Sequence, residues 1–100
     1  MPKLKISHGH ELSRDEAAER LKRFIELAKA QYGSHVRDLV EEWSENTLSY
    51  SFRAMGFSTK GNLLVEENEV HITSDLPLAA IVFKGRIEET IRRQLASVLG

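Results

Sequence analysis

Histidines and paired carboxylates are the side chains of this sequence whose types and spacing could support metal binding or proton transfer. His8 and His10 are two positions apart, so both imidazoles would point to one side of an extended strand. Imidazole suits zinc, copper or nickel, but two ligands do not make a site. The remaining histidines, His35 and His71, have no placement that the sequence fixes. We therefore expect a structural loop here and no bound metal.

Adjacent glutamates occur three times, at Glu41-Glu42, Glu66-Glu67 and Glu88-Glu89. General acid–base catalysis requires one carboxyl of a pair to be desolvated so that its pKa moves toward neutrality. Neighbours on a strand point to opposite faces, and the last pair has arginine partners one helical turn later. The hydroxyl-bearing strand residues have no adjacent His–acid motif to activate an oxygen. We therefore expect no catalytic residue, no cofactor and no enzyme activity.

The C-terminal quarter, residues 76–100, carries more apolar side chains than one helix face can hold. Apolar residues at spacings of three and four predict one amphipathic helix across it: Leu76, Ala80, Phe83, Ile87, Ile91, Leu95 and Val98. Leu78, Ile81 and Val82 lie outside that stripe. Surplus apolar surface indicates a partner, a pocket wall or an oligomer. These three residues are therefore the candidate partner-binding site.

The N-terminal third contains one strand and one helix that would form part of the scaffold. Leu4 and Ile6 alternate with lysines, which predicts a short edge strand. Ser13 and Glu16 have the spacing of a capping box, in which the serine hydroxyl accepts a hydrogen bond from the third helical N–H. We therefore expect a helix that begins after Ser13 and ends within a residue or two of Tyr32.

The middle of the chain changes to a period of two from Ser34 onward. Turn signals about every ten residues predict four antiparallel strands in a meander. The first of them breaks the alternation, so we expect a bulge near Asp38 or Leu39. After the last strand, Asp75 is placed to cap the C-terminal helix. Gly85, inside that helix, indicates either close packing against a neighbour or a bend.

These elements predict an α+β fold with the order β-α-β-β-β-β-α. A single antiparallel sheet would carry two helices packed on one face, in a reduced form of the helix-grip folds. One hundred residues correspond to a single domain, 1–100, with one modest core.

Composition excludes several classes of function. The net charge of −1 gives no overall field that would favour phosphate backbones or anionic lipid, so we expect no nucleic acid partner. The chain has no cysteine, which excludes disulfides and thiolate metal sites. No apolar run reaches the roughly 18 residues that a transmembrane helix needs. We therefore expect a cytoplasmic protein.

The order of short motifs along the chain resembles that of a known family. The motifs are His10–Ala17, Gly61–Val65, Val70-x-Ile72, Leu76-Pro77, Phe83–Glu88 and Ile91–Leu95. Together they resemble the polyhydroxyalkanoic acid system family, small bacterial proteins named for genes that lie near those of polyester storage. The resemblance covers nearly the whole chain. It implies an association with polyester granules, and it carries no catalytic residues to this chain.

Three hypotheses of function follow. The first is a non-enzymatic binding module whose apolar surface around Leu78, Ile81 and Val82 contacts a hydrophobic partner or a granule. The second is a helix-grip carrier of a small apolar ligand, which needs a pocket of roughly 300 Å³ that so short a chain could instead fill with its own core. The third is a homodimer in which the surplus apolar surface is buried between two copies.

Overall fold

A five-stranded sheet and two helices form the fold in the computed structural model, which describes residues 2–100. In chain order the elements are β1 (Lys3–Gly9), α1 (Arg14–Tyr32), β2 (Arg37–Ser44), β3 (Thr47–Ala54), β4 (Phe57–Glu66), β5 (Glu69–Asp75) and α2 (Lys84–Leu99). Two short 3₁₀ segments, Gly33–His35 and Leu78–Phe83, precede β2 and α2. The predicted α+β class and element order are confirmed.

The sheet is antiparallel throughout and has the strand order β1-β5-β4-β3-β2. The first strand therefore pairs with the last, and the meander β2 to β5 fills the rest of the sheet. One row of paired residues crosses all five strands and faces the helices: Ile6, Ile72, Leu63, Leu48 and Trp43. Residues in register share a face, so this row forms the apolar floor of the core.

Both helices pack on that inner face, as the sequence predicts. Helix α2 lies against β1, α1 lies against β4, and the two helices contact each other. Ala17 and Ala18 are buried at the helix–sheet contact, where small side chains allow α1 to approach closely. Leu95 and Leu99 complete the core from α2. The inner faces of β2 and β3 lie farther from both helices.

Two local predictions are confirmed in their details. The Ser13 hydroxyl accepts a hydrogen bond from the Glu16 backbone N–H at 3.1 Å, so α1 begins at its predicted cap. The pairing of β2 with β3 shifts register between Arg37 and Val40, and Asp38 lies between them with a φ of 54°. The bulge therefore falls where the alternation of the sequence breaks.

The prediction of one helix from Leu76 onward is wrong. Residues Leu78–Phe83 form a 3₁₀ segment, and α2 begins only at Lys84. The chain enters the 3₁₀ segment extended at Pro77 and changes direction at Phe83, whose φ and ψ are −101° and 5°. The close contacts of Leu78–Phe83 are with α2 and not with the sheet, so an α-helix there would gain little packing energy.

Two further expectations for this region are resolved. A Cβ at Gly85 would meet no atom within 4 Å, so this glycine is not a site of close packing, and the bend lies two residues earlier, at Phe83. Asp75 does not cap α2, because it is the last residue of β5 and its carboxylate pairs with the Lys3 ammonium.

Candidate functional site

The three candidate partner-binding residues lie together on the 3₁₀ segment Leu78–Phe83, which we call the apolar segment. Leu78, Ile81 and Val82 are 75%, 41% and 82% exposed, and Phe83, which the helical stripe would have buried, is 54% exposed. Because a 3₁₀ helix has three residues per turn, Leu78 and Ile81 lie above one another on one side. Val82 and Phe83 lie on its other sides, so the segment presents exposed apolar side chains to solvent around its axis.

The apolar segment contacts the rest of the fold mainly through the helix that follows it. It closes its first turn with a hydrogen bond from the Ala80 N–H to the Pro77 carbonyl at 2.9 Å. Its close contacts are with α2, the element that follows it. Large apolar side chains in an exposed and contiguous group are uncommon on monomeric proteins and indicate an interaction surface.

A second apolar feature is a groove between the two helices and the inner faces of β2 and β3. Its volume is about 440 Å³, and its walls are almost entirely apolar. Phe24, Ile25 and Ala28 line it from α1, Phe52 from β3 and Ile91 from α2. The core of this short chain therefore does not fill itself, because the helices lie over β1 and β4 and leave the other side of the sheet open.

Polar groups at the groove come from both helices. The Lys29 ammonium donates to Glu41 Oε1 of β2 at 2.6 Å and to Glu26 Oε1 at 3.2 Å. These hydrogen bonds, with Glu41 the stronger influence, raise the pKa of Lys29 above its ordinary value. Thr90 and Gln94 line the groove from α2. The Lys29–Glu41 pair links α1 to the edge strand β2, as does the contact of the Lys22 ammonium with the Trp43 ring, 4.9 Å from its centroid.

The floor of the groove depends on a glycine opposite an aromatic ring. Gly61 of β4 pairs with Tyr50 of β3, and a Cβ at Gly61 would lie 2.6 Å from the Tyr50 hydroxyl oxygen. The Tyr50 ring therefore lies over the glycine. It also stacks against the Phe52 ring, with ring centroids 6.1 Å apart. Burial raises the pKa of the Tyr50 hydroxyl.

The two N-terminal histidines have separate structural partners. His10 is buried, its Nδ1 accepts a hydrogen bond from the Leu12 N–H at 3.1 Å, and its Nε2 donates to the Glu66 carbonyl at 3.1 Å. Neither ring nitrogen of His10 is then free to bind a metal. His8 Nε2 instead contacts the Gly100 carbonyl oxygen. Residues 2–100 contain no group of three or more potential metal ligands.

The structure also brings together a Ser–His–Glu chain that the sequence analysis missed. Ser7 Oγ lies 2.8 Å from His71 Nδ1, and His71 Nε2 lies 3.0 Å from Glu66 Oε1. Ser7 and His71 face each other across β1 and β5, so only the long-range pairing of these strands reveals the contact. The group lies on the outer, water-exposed face, where it joins side chains of β1, β5 and β4.

Comparison with known proteins gives one match. A family model described as "Putative polyhydroxyalkanoic acid system protein" matches residues 4–99. Searches among curated proteins and among solved structures gave no match. Within residues 2–100, no helix has the length and apolar character needed to cross a bilayer.

Proposed function

The chain belongs to the polyhydroxyalkanoic acid system family, and on this premise we propose that it is a non-enzymatic binding module for a hydrophobic partner such as a granule surface. The observation that carries the proposal is the exposure of Leu78, Ile81 and Val82 on one short segment. The cytoplasmic location expected from the sequence is part of this proposal, as is the absence of a catalytic residue.

The apolar segment would support weak attachment by a single copy. Full burial of each of these three side chains contributes about 1.5–3 kcal/mol, and the costs of association offset much of that sum. Several copies on one surface, or a homodimer with two apolar segments, would increase the apparent affinity by effective concentration. We therefore expect attachment to extended surfaces in preference to small apolar molecules.

Partitioning onto oil or polyester droplets tests this proposal. The triple variant Leu78→Ser, Ile81→Ser, Val82→Ser should lose most of its partitioning and keep its circular dichroism spectrum. A matched control replaces three apolar residues of similar exposure elsewhere, with the changes Leu27→Ser, Val40→Ser and Leu64→Ser. Unchanged partitioning of the first variant, or equal losses in both, would contradict the proposal.

The groove favours a second candidate function, that of a small-ligand carrier. Its volume of about 440 Å³ lies within the range of roughly 300–1,000 Å³ that is typical of ligand sites, and its walls are apolar. Native mass spectrometry of protein purified from cells distinguishes the two functions. A co-purifying apolar molecule of constant mass would support the carrier, whereas repeated isolation of the bare protein would count against it.

A further inference from the structure

The apolar segment is followed by a local positive charge that the net charge of the chain conceals. From Lys84 to Arg93 there are four cations and two carboxylates, although the whole chain has a net charge of −1. Glu88 and Glu89 pair with Arg92 and Arg93, which leaves Lys84 and Arg86. Both cations are exposed. Neither forms an ion pair with any residue that the structure describes. Their charges are therefore available to an external anion.

The position of these cations does not favour the stability of the helix. Lys84 and Arg86 lie in the first turn of α2, where the positive end of the helix dipole repels cations. Helix α1 has the usual arrangement, with Asp15 and Glu16 in its first turn, whereas the first turn of α2 has no acidic residue. An external anion would offset this repulsion, which helps to explain why cations occupy these positions.

Apolar side chains and cations follow one another directly along the chain. Phe83, 54% exposed, immediately precedes Lys84, so the apolar surface and the positive charge meet at one boundary. This combination is typical of segments that lie in a lipid interface, with apolar groups among the acyl chains and cations at the phosphates. A bare polyester surface carries no such charge and would leave both cations without a partner.

We propose that the apolar segment binds a lipid surface with anionic phospholipid head groups. Leu78, Ile81 and Val82 enter the acyl region, and Lys84 and Arg86 contact phosphate oxygens. The inference rests on the proposed function, because it assumes that the apolar segment is the attachment site and names the chemistry of the surface. The overall charge of the chain predicts no such preference; the local charge does.

Vesicle co-sedimentation tests this inference. The probes are phosphatidylcholine vesicles and vesicles of equal parts phosphatidylcholine and phosphatidylglycerol, each at low and high salt. Wild-type protein should bind the anionic vesicles more tightly, and salt should weaken that binding. The variant Lys84→Gln, Arg86→Gln should bind them about 30-fold more weakly, because each cation near such a surface contributes about 1 kcal/mol and 1.4 kcal/mol corresponds to tenfold.

Controls separate this inference from the proposed function. The variant Lys5→Gln, Arg14→Gln removes two exposed cations from other parts of the fold and should bind as wild type does. Equal binding by wild type and by the Lys84→Gln, Arg86→Gln variant would overturn the anionic-lipid inference. If the Leu78, Ile81, Val82 variant still failed to bind in that case, the proposed function would stand. If that variant bound normally as well, both the anionic-lipid inference and the proposed function would be contradicted.

Discussion

Gly61 determines whether the Tyr50 ring can lie flat on the sheet. An added Cβ would be 2.5 Å from the Thr73 carbonyl oxygen and 2.6 Å from the Tyr50 hydroxyl. The backbone atom cannot move away without disturbing the pairing of β4 with β5. We therefore predict that Gly61→Ala lowers the free energy of unfolding by about 1–3 kcal/mol, as overpacking does elsewhere. Urea denaturation followed by Trp43 fluorescence measures this change.

Gly85→Ala is the matched control, because a Cβ there meets nothing within 4 Å. This glycine lies in a helix, so alanine should raise the free energy of unfolding by up to about 1 kcal/mol. Equal effects of the two substitutions would show that close packing does not distinguish Gly61.

Because of the ion pair between Asp75 and Lys3, the free energy of unfolding should depend on pH in acidic solution. The Lys3 ammonium, hydrogen-bonded to the Asp75 carboxylate, holds the pKa of that carboxyl below its ordinary value. The folded protein therefore binds this proton less readily than the unfolded chain does. The stabilisation is complete above the ordinary pKa of an aspartate carboxyl, near pH 4. It is lost as the pH falls through the lowered pKa of the folded protein.

We predict that Asp75→Asn destabilises the protein at pH 7 and that the difference from wild type narrows as the pH falls below about 4. Urea midpoints at pH 7 and at pH 3 measure this. If wild type and Asp75→Asn differed in urea midpoint by the same amount at pH 7 and at pH 3, this would contradict the role of the ionised pair.

The structural role of an individual residue was predictable where it depends on a pattern of nearby residues. Ser13 and the bulge at Asp38 depend on neighbours within a few positions, so spacing alone located them. The contact of Ser7 with His71 and the pair of Lys3 with Asp75 join β1 to β5, between residues that are 64 and 72 positions apart. Periodicity contains no information on which strands pair, so neither contact was predicted.

Among the elements, the hairpin between β3 and β4 has an unfavourable turn residue. Met55 and Gly56 have φ values of 54° and 82°, the left-handed conformations that a type I′ turn requires at both central positions. Asparagine adopts this conformation more readily than methionine, and the Met55 side chain is almost fully exposed, so its loss removes no packing.

Met55→Asn should therefore raise the free energy of unfolding by about 0.5–1 kcal/mol. Thermal denaturation measures the gain, and Met55→Ala, which removes the side chain without relieving the backbone, should give none. A gain of the same size in both variants would assign the effect to the side chain.

The groove can be closed from one helix without disturbing the core. Ala28 lines the groove and Ala30, also on α1, is exposed and does not. We predict that Ala28→Trp abolishes saturable binding of an apolar fluorescent dye, whereas Ala30→Trp leaves it unchanged. Dye titration measures both, and retained binding in Ala28→Trp would show that the groove is not the dye site.

The apolar segment shows how periodicity can mislead at the level of an element. In the stripe from Leu76 to Val98, which has helical spacing, Leu76 is buried and the residues from Ile87 onward pack on the core, yet Phe83 between them is 54% exposed. Spacing reports which residues would share a face, and it does not report whether other elements cover that face. The apolar segment follows the end of β5 at Asp75, and its close contacts are with α2.

For the molecule as a whole, the sequence predicted the fold and left open whether a pocket exists beside the core. Element types and their order follow from local patterns, and the antiparallel meander follows from short turns. The groove results from where the helices lie across the sheet, over β1 and β4 with β2 and β3 left open. That placement depends on packing among distant residues. The exposure of Leu78, Ile81 and Val82, in contrast, agrees with their position outside the apolar stripe of the sequence.

Attachment through the apolar segment is the central claim, and site-specific labelling tests it most directly. The chain has no cysteine, so Val82→Cys and Glu67→Cys each provide one position for a polarity-sensitive fluorophore. Glu67 is exposed in the turn between β4 and β5, at the opposite end of β5 from the apolar segment. On addition of droplets or anionic vesicles, emission should shift to the blue at position 82 and stay unchanged at position 67. A shift at position 67 alone, or no shift at position 82 while the protein binds, would contradict the account.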